Sequence, residues 1–110
     1  MTNLCQSDIK VSVVINTYNR AKLLPRAIES ALSQTHANLE IIVVDGNSQD
    51  NTGDVVKGIC DSRIRYIRSE STRSVDCVNL GFRLSTGKYI ALLDDDDEWL
   101  PSKTEEQLAF

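Results

Sequence analysis

The run Asp94-Asp95-Asp96-Asp97-Glu98 sets five carboxylates side by side in a chain of 110 residues. Ionised together they repel one another. A divalent cation removes the repulsion and bridges carboxylates to substrate phosphate; magnesium is commonly held this way, by one or two carboxylates, with phosphate and water completing its shell. Asp94 and Asp96, as alternate residues, can converge on one ion if they lie in a tight turn rather than in a continuing strand. An isolated acidic run reads as a solvated face. The position of this one, directly after the apolar stretch Tyr89–Leu93, favours a ligand instead. An EF-hand loop starting at Asp94 fails, because Trp99 stands where that loop needs glycine and Pro101 follows two residues later.

Other reactive side chains offer less. Cys5, Cys60 and Cys77 form no C-x-x-C pair, so zinc and thioredoxin-type chemistry have no support. Cys60 and Cys77 sit among apolar residues and are expected to be small core hydrophobes, as suits a reducing cytoplasm. His36 is the only histidine, in the polar stretch Gln34–Asn38, and is expected to be a solvated turn residue rather than a catalytic base.

The elements that must position these groups follow from the pattern of apolar residues. Val11–Ile15 is β-branched and short, a first strand that the polar stretch Asn16–Arg20 ends. From Ala21 to Gln34, Leu23, Leu24, Ala27, Ile28, Ala31 and Leu32 make one helical face, with Pro25 in the first turn. Leu39–Val44 is a second strand, continuously apolar as in parallel sheets. Asp45–Asp50 is a turn delivering Asp50 as cap to a helix over Asn51–Cys60, with Val55, Val56, Ile59 and Cys60 inward. Ile64–Arg68 is a third strand, near an edge by its partial alternation. A loop over Ser69–Ser74 leads to a helix over Val75–Leu84, with Val78, Phe82 and Leu84 inward. Gly87 is expected to end it in the left-handed region. Lys88–Leu93 is a fourth strand, apolar and buried. Ser102-Lys103-Thr104-Glu105 fits a capping box at the start of a final helix toward Phe110, although Pro101 can equally be its first residue.

This alternation predicts an α/β fold, a mostly parallel open sheet with helices on both faces. In such sheets ligands bind beyond the carboxyl ends of the strands. Asn16–Arg20, Asp45–Asp50 and Asp94–Glu98 all fall at that edge and should converge. A dinucleotide site needs a glycine-rich first turn, and Asn16–Arg20 has no glycine; Thr86-Gly87-Lys88-Tyr89 is not a P-loop. Twelve Lys+Arg against sixteen Asp+Glu give a formal charge of −4, and the acidic run accounts for more than all of it. That balance disfavours a nucleic-acid partner. No apolar run approaches the roughly 18 residues of a membrane span. The polar stretch Met1–Lys10 reads as a tail without a secretory signal core.

Three phrases in order carry a resemblance: Val11-Ser12-Val13-Val14-Ile15-Asn16-Thr17-Tyr18-Asn19-Arg20, Glu40-Ile41-Ile42-Val43-Val44-Asp45, and Leu92-Leu93-Asp94-Asp95-Asp96-Asp97-Glu98-Trp99-Leu100-Pro101. With Asn79-Leu80-Gly81 and Thr86–Ile90 between them, the chain resembles family-two inverting glycosyltransferases of GT-A fold from about Val11 onward. The resemblance implies that residues 11–110 are the nucleotide-sugar-binding part of a GT-A domain, truncated, behind a tail of residues 1–10. It implies that Thr17, Tyr18 and Asn19 cradle the base and ribose and that Asp45 contacts the base. Tyr18 as a stacking or as a packing residue stays open. Asp94-Asp95-Asp96 matches the family's Asp-x-Asp motif: Asp94 and Asp95 toward the nucleotide sugar, Asp94 and Asp96 as ligands of Mg²⁺ or Mn²⁺. Trp99 and Pro101 either shape the exit toward the acceptor or serve packing and the helix start.

The chain departs from the family pattern at three places. Many relatives read Asp-Asp-Gly-Ser where this chain reads Asp45-Gly46-Asn47-Ser48, so either one acidic contact is absent or the turn is a variant of the family's. Val78-Asn79 replaces an Arg-Asn pair; Asn79 keeps its place at the donor, and Arg73 or Arg68 either replace the lost cation or are solvated surface charges. The family's general base comes from a later segment, so no catalytic residue is assigned, and Glu105 and Glu106 are expected to face solvent. The implied partners are a nucleoside-diphosphate sugar and a saccharide or lipid-linked acceptor, with a cytoplasmic location, peripheral to the membrane in the full-length protein. Two other readings stay open: a non-catalytic α/β binding or interaction module with a solvated acidic loop, and a nucleotidyltransferase. The latter usually needs the glycines that the first turn lacks.

Overall fold

The computed structural model describes residues 8–109. Cys5, most of the expected tail and Phe110 lie outside them. The elements run β1 (Val11–Thr17), α1 (Leu24–Leu32), β2 (Leu39–Asp45), α2 (Thr52–Lys57), β3 (Ile64–Arg68), α3 (Ser74–Leu84), β4 (Tyr89–Leu92) and α4 (Lys103–Leu108). The strands form one sheet in the order β3-β2-β1-β4, every pair parallel.

Apolar runs without alternation produce the two central strands, because both of their faces are covered. Val11, Val13 and Ile15 of β1 and Ile41 and Val43 of β2 pack with Leu24, Ala27, Ile28 and Ala31 of α1, Val56 of α2, Leu93 and Trp99. On the other face Ile42 and Val44 pack with Cys77, Leu80 and Leu84 of α3. Bare backbone lets α3 come close at Gly81, where a Cβ would lie 2.4 Å from Val14 Cγ1.

A polar clamp joins the amino ends of the strands. Ser12 and Glu40 are register partners. The Glu40 carboxylate accepts hydrogen bonds from Ser12 Oγ at 2.5 Å and from Thr86 N and Oγ1 at 2.6 and 2.9 Å. Arg65 Nη1 and Lys10 Nζ stand 3.4 and 3.8 Å from Oε1. Burial works to raise the Glu40 pKa, but these donors and the Lys10 charge outweigh it and hold the group at about 2.

Several local expectations change. β1 continues through Asn16 and Thr17, and α1 starts at Leu24, leaving Leu23 exposed. Cys60 is exposed and His36 buried, its Nε2 2.7 Å from Ile9 O; the stretch after α1 is covered by the chain preceding β1. The inward stripe of α3 is Cys77, Leu80, Gly81 and Leu84, while Phe82 is exposed. Gly87 is not left-handed, since no glycine among the described residues has positive φ. It is small because a Cβ there would meet Ser12 N at 2.7 Å and Lys10 O at 2.9 Å. β4 is apolar yet Tyr89, Ile90 and Leu92 are exposed, because β4 is an edge strand of the described sheet. Asn51, not Asp50, caps α2, although Asp50 Oδ1 accepts from Thr52 N at 3.0 Å. No capping box forms at α4, which begins after Pro101, at Lys103: Ser102 Oγ donates to Glu106 and Glu105 accepts from Thr35 Oγ1.

Candidate functional site

β1 and β4 end side by side, and the chain leaving each defines a cleft of about 410 Å³. Asn16, Thr17, Tyr18 and Arg20 form one wall and Asp94, Asp95 and Asp96 the other; Thr72 from the loop before α3, with Ser74 and Cys77 of α3, closes the third side. The acidic run turns tightly, with Asp97 N donating to Asp94 O at 3.1 Å. Thr17 Oγ1 donates to Asp95 Oδ2 at 2.9 Å, which ties the end of β1 to the turn. Arg26 of α1 supports the turn through Nη2 to Asp96 O at 3.0 Å. Beyond it, the chain straps along α1: Trp99 N donates to Ser30 Oγ at 3.0 Å, Gln34 Nε2 to Leu100 O at 2.8 Å, and Thr104 N to Gln34 Oε1 at 3.0 Å. Trp99 is therefore a core residue at 8% exposure.

The cleft brings together Thr17, Tyr18, Asp94, Asp95 and Asp96. Tyr18 lines the cleft and is 44% exposed. Asn19 has a φ of 53° and bridges loops rather than facing the cleft: its N donates to Ser48 Oγ at 2.8 Å and its Oδ1 accepts from Gln49 N at 2.7 Å. Asp45 is fully buried, accepting from Ser48 N at 2.8 Å, from Ser48 Oγ at 2.6 Å and from Tyr66 Oη. Burial raises the Tyr66 phenol, and the Asp45 carboxylate adds to the effect, to about 12. Arg68 holds the same loop, donating to Asn47 Oδ1 at 2.8 Å and to Ser48 O at 2.6 Å. Asn47, with φ 68°, takes the left-handed position of that turn. Arg73 precedes α3, with its side chain 75% exposed and 4.0 Å from Asp76. Asn79 lines a separate groove on the outer side of α3 with Arg68 and Arg83.

Arg20, Thr72 and Ser74 were not singled out by the sequence, and Cys77 was expected only as a small core residue. The signal for Thr72 and Ser74 was present, since the loop after β3 also lies at the carboxyl edge. Cys77 faces the cleft yet is buried, and burial pushes its thiol up, which keeps it protonated.

Two carboxylates plus substrate phosphate is a donor set magnesium or manganese accepts. Asp94 and Asp96 are exposed at the cleft, and the Asp94 carboxylate has no hydrogen bond or ion pair with another described residue. Among the described residues no group of three or more His, Cys, Asp or Glu is arranged around one point. An ion here would thus draw most of its shell from phosphate and water, supplying positive charge against the diphosphate.

Fold and cleft define a parallel α/β domain with a polar ligand site at the strand carboxyl ends, bounded by an acidic turn. Residues 12–110 match the Glycosyl transferase family 2 model, and the chain belongs to that family. It is 40% identical over 101 residues to the Escherichia coli UDP-Glc:alpha-D-GlcNAc-diphosphoundecaprenol beta-1,3-glucosyltransferase WfaP, spanning 91% of this chain and 40% of that one. It is 43% identical over 105 residues to an uncharacterized glycosyltransferase of Rickettsia bellii, spanning 94% and 15%. The chain thus spans less than half the length of these relatives. Among solved structures, S. aureus TarS 1–349 in complex with UDP superposes with a TM-score of 0.82 at 23% identity, over 92% of this chain and 31% of that one. The mannosyltransferase PcManGT from Pyrobaculum calidifontis, in complex with GDP-Man and Mn²⁺, superposes with 0.74 at 27% identity, over 81% and 28%. The fold is that of GT-A glycosyltransferases.

Proposed function

We propose that this chain is the donor-binding part of a metal-dependent glycosyltransferase. It would bind a nucleoside-diphosphate sugar in the β1–β4 cleft through Mg²⁺ or Mn²⁺, for transfer to an acceptor hydroxyl. The observation that carries this reading is the turn Asp94–Asp97, which faces Thr17 and Tyr18 across the cleft with exposed carboxylates at Asp94 and Asp96. The PcManGT complex, with a nucleotide sugar and Mn²⁺ in a similar fold, supports it. Asp94 and Asp96 hold the ion, Asp95 and Thr17 face the nucleotide, and Tyr18 offers its ring to the base. Asn19 and Asp45 act by shaping the loops that present these groups. Arg73 stands between the cleft residues Thr72 and Ser74 and is the nearer candidate for the donor, while Asn79 lines the groove on the other side of α3. No general base is assigned to these residues.

The acceptor in the name of the E. coli relative is a lipid diphosphate sugar. That supports a saccharide or lipid-linked acceptor here and a cytoplasmic site of action peripheral to the membrane. No helix among the described residues is long and apolar enough to cross a membrane.

Titration calorimetry with UDP-glucose and with GDP-mannose, with Mn²⁺ and then with excess chelator, tests the reading. Binding that needs the ion, and that vanishes in the double variant Asp94→Ala/Asp96→Ala, is the expected result. Lack of metal-dependent affinity for any nucleotide sugar would overturn it and leave a non-catalytic α/β module with a solvated acidic loop.

A further inference from the structure

Arg20 is the one cation among the described residues that line the cleft. Its Nη1 stands 3.5 Å from Asp96 Oδ2 and its Nε 3.9 Å from Asp95 Oδ2. Nothing about the turn's shape depends on it. The turn closes on itself through Asp97 N and Asp94 O, Thr17 holds Asp95, and Arg26 holds the backbone at Asp96. The Arg20 side chain is 46% exposed, at the mouth of the cleft. A charge in that place, with no structural task, acts on whatever the carboxylates bind.

A guanidinium and a divalent ion cannot share Asp96 at close range without repelling each other. A guanidinium also matches phosphate oxygens with a planar fork of N–H donors. We propose that Arg20 exchanges partners at the donor site. It neutralises Asp95 and Asp96 while no ion is bound, and turns to the donor's diphosphate when a divalent ion takes the carboxylates. The proposal rests on the donor-binding reading above and adds a residue and an order of events to it. The arginine prevents the acidic turn from being left as a bare cluster of repelling charges, and it makes ion and diphosphate bind better together than singly.

Binding of Mn²⁺ alone, followed by the spectrum of the free ion, and binding of UDP and of GDP at saturating Mn²⁺, followed by calorimetry, test this on the chain as it stands. Arg20→Ala removes the competitor at Asp96, so Mn²⁺ alone should bind about two- to fivefold tighter, the range of an exposed ion pair. The same variant should bind the diphosphate about tenfold more weakly, having lost a charge-assisted hydrogen bond. Arg20→Lys should leave Mn²⁺ affinity near that of the parent and restore part of the UDP affinity. Arg83→Ala removes the same charge on the outer side of α3 and should move neither value. Thermal melting of each variant separates binding from folding; should Arg20→Ala melt early, Arg20→Gln takes its place. If the variant lowers both affinities, or leaves either unchanged, the exchange is wrong while donor binding stands. If the parent chain binds neither Mn²⁺ nor nucleotide, the donor-binding reading fails with it.

Discussion

Asp45 ends β2 with a carboxylate that solvent does not reach, both oxygens engaged by Ser48 and Tyr66. The resemblance implies a base contact for it; in the structure its carboxylate ties the turn after β2 to Tyr66 of β3. Tyr66→Phe would leave Asp45 Oδ2 without its donor and is expected to cost about 1–3 kcal/mol in urea unfolding. The parent phenol should titrate by absorbance near 12, beyond the ordinary value of 10.0. Glu40 makes a parallel case at the other end of the strands. Its folded pKa of about 2 lies below the ordinary 4.5. The stability it contributes is therefore complete above about 4.5 and is lost as pH falls from there toward 2. Glu40→Gln should unfold about 2 kcal/mol more easily at neutral pH and lose that part of the acid dependence. Acid titration of the melting temperature for both proteins checks it; equal slopes below pH 4.5 would remove Glu40 from the account. The acidic run stood out because five adjacent carboxylates follow an apolar strand, and Thr17 stood out only through the family resemblance. Glu40, Arg20 and the burial of His36 were not legible, because each depends on a neighbour between 27 and 76 positions away.

At the scale of elements, alternation and apolar runs gave all eight elements, because a strand buried on both faces and a helix with one apolar stripe each leave a distinct period. They misplaced inward faces where size, not hydrophobicity, decides. Phe82 is the larger apolar residue, but Gly81 and Cys77 are what let α3 approach β1. Gly87 is a second such place. Gly87→Ala would press a methyl against the Ser12 and Lys10 backbone, which cannot yield as a side chain does. A loss of about 1–3 kcal/mol is expected. Gly58→Ala, at ordinary contact distances of 3.4 Å and beyond, should be nearly neutral by the same denaturation assay. Comparable losses at both sites would mean that the close approach at Gly87 does not set its identity.

Over the whole molecule, burial stops at β4. Ile90 and Leu92 pair in register with Ser12 and Val14 and so share the α3 face, yet they are 45% and 55% exposed, with Phe82 at 40% on the neighbouring helix. An apolar strand edge of this sort invites association. Ile90→Thr with Leu92→Thr should lower the sedimenting fraction at high concentration while moving the melting temperature by only a few degrees. An unchanged fraction would show that this face is not sticky. The sequence cannot signal such exposure, since an apolar run reads as buried whether or not anything covers it. The strand order has a further bearing, on how the chain is made. β1 leaves the ribosome first but is central, and its partner β4 lies 78 positions later, Val11 beside Tyr89. Until β4 emerges, one long side of β1 remains without its hydrogen bonds, and no local hairpin can substitute. Native protection of the β1 amides should therefore appear only after β4 has emerged, and refolding should take milliseconds or longer rather than microseconds.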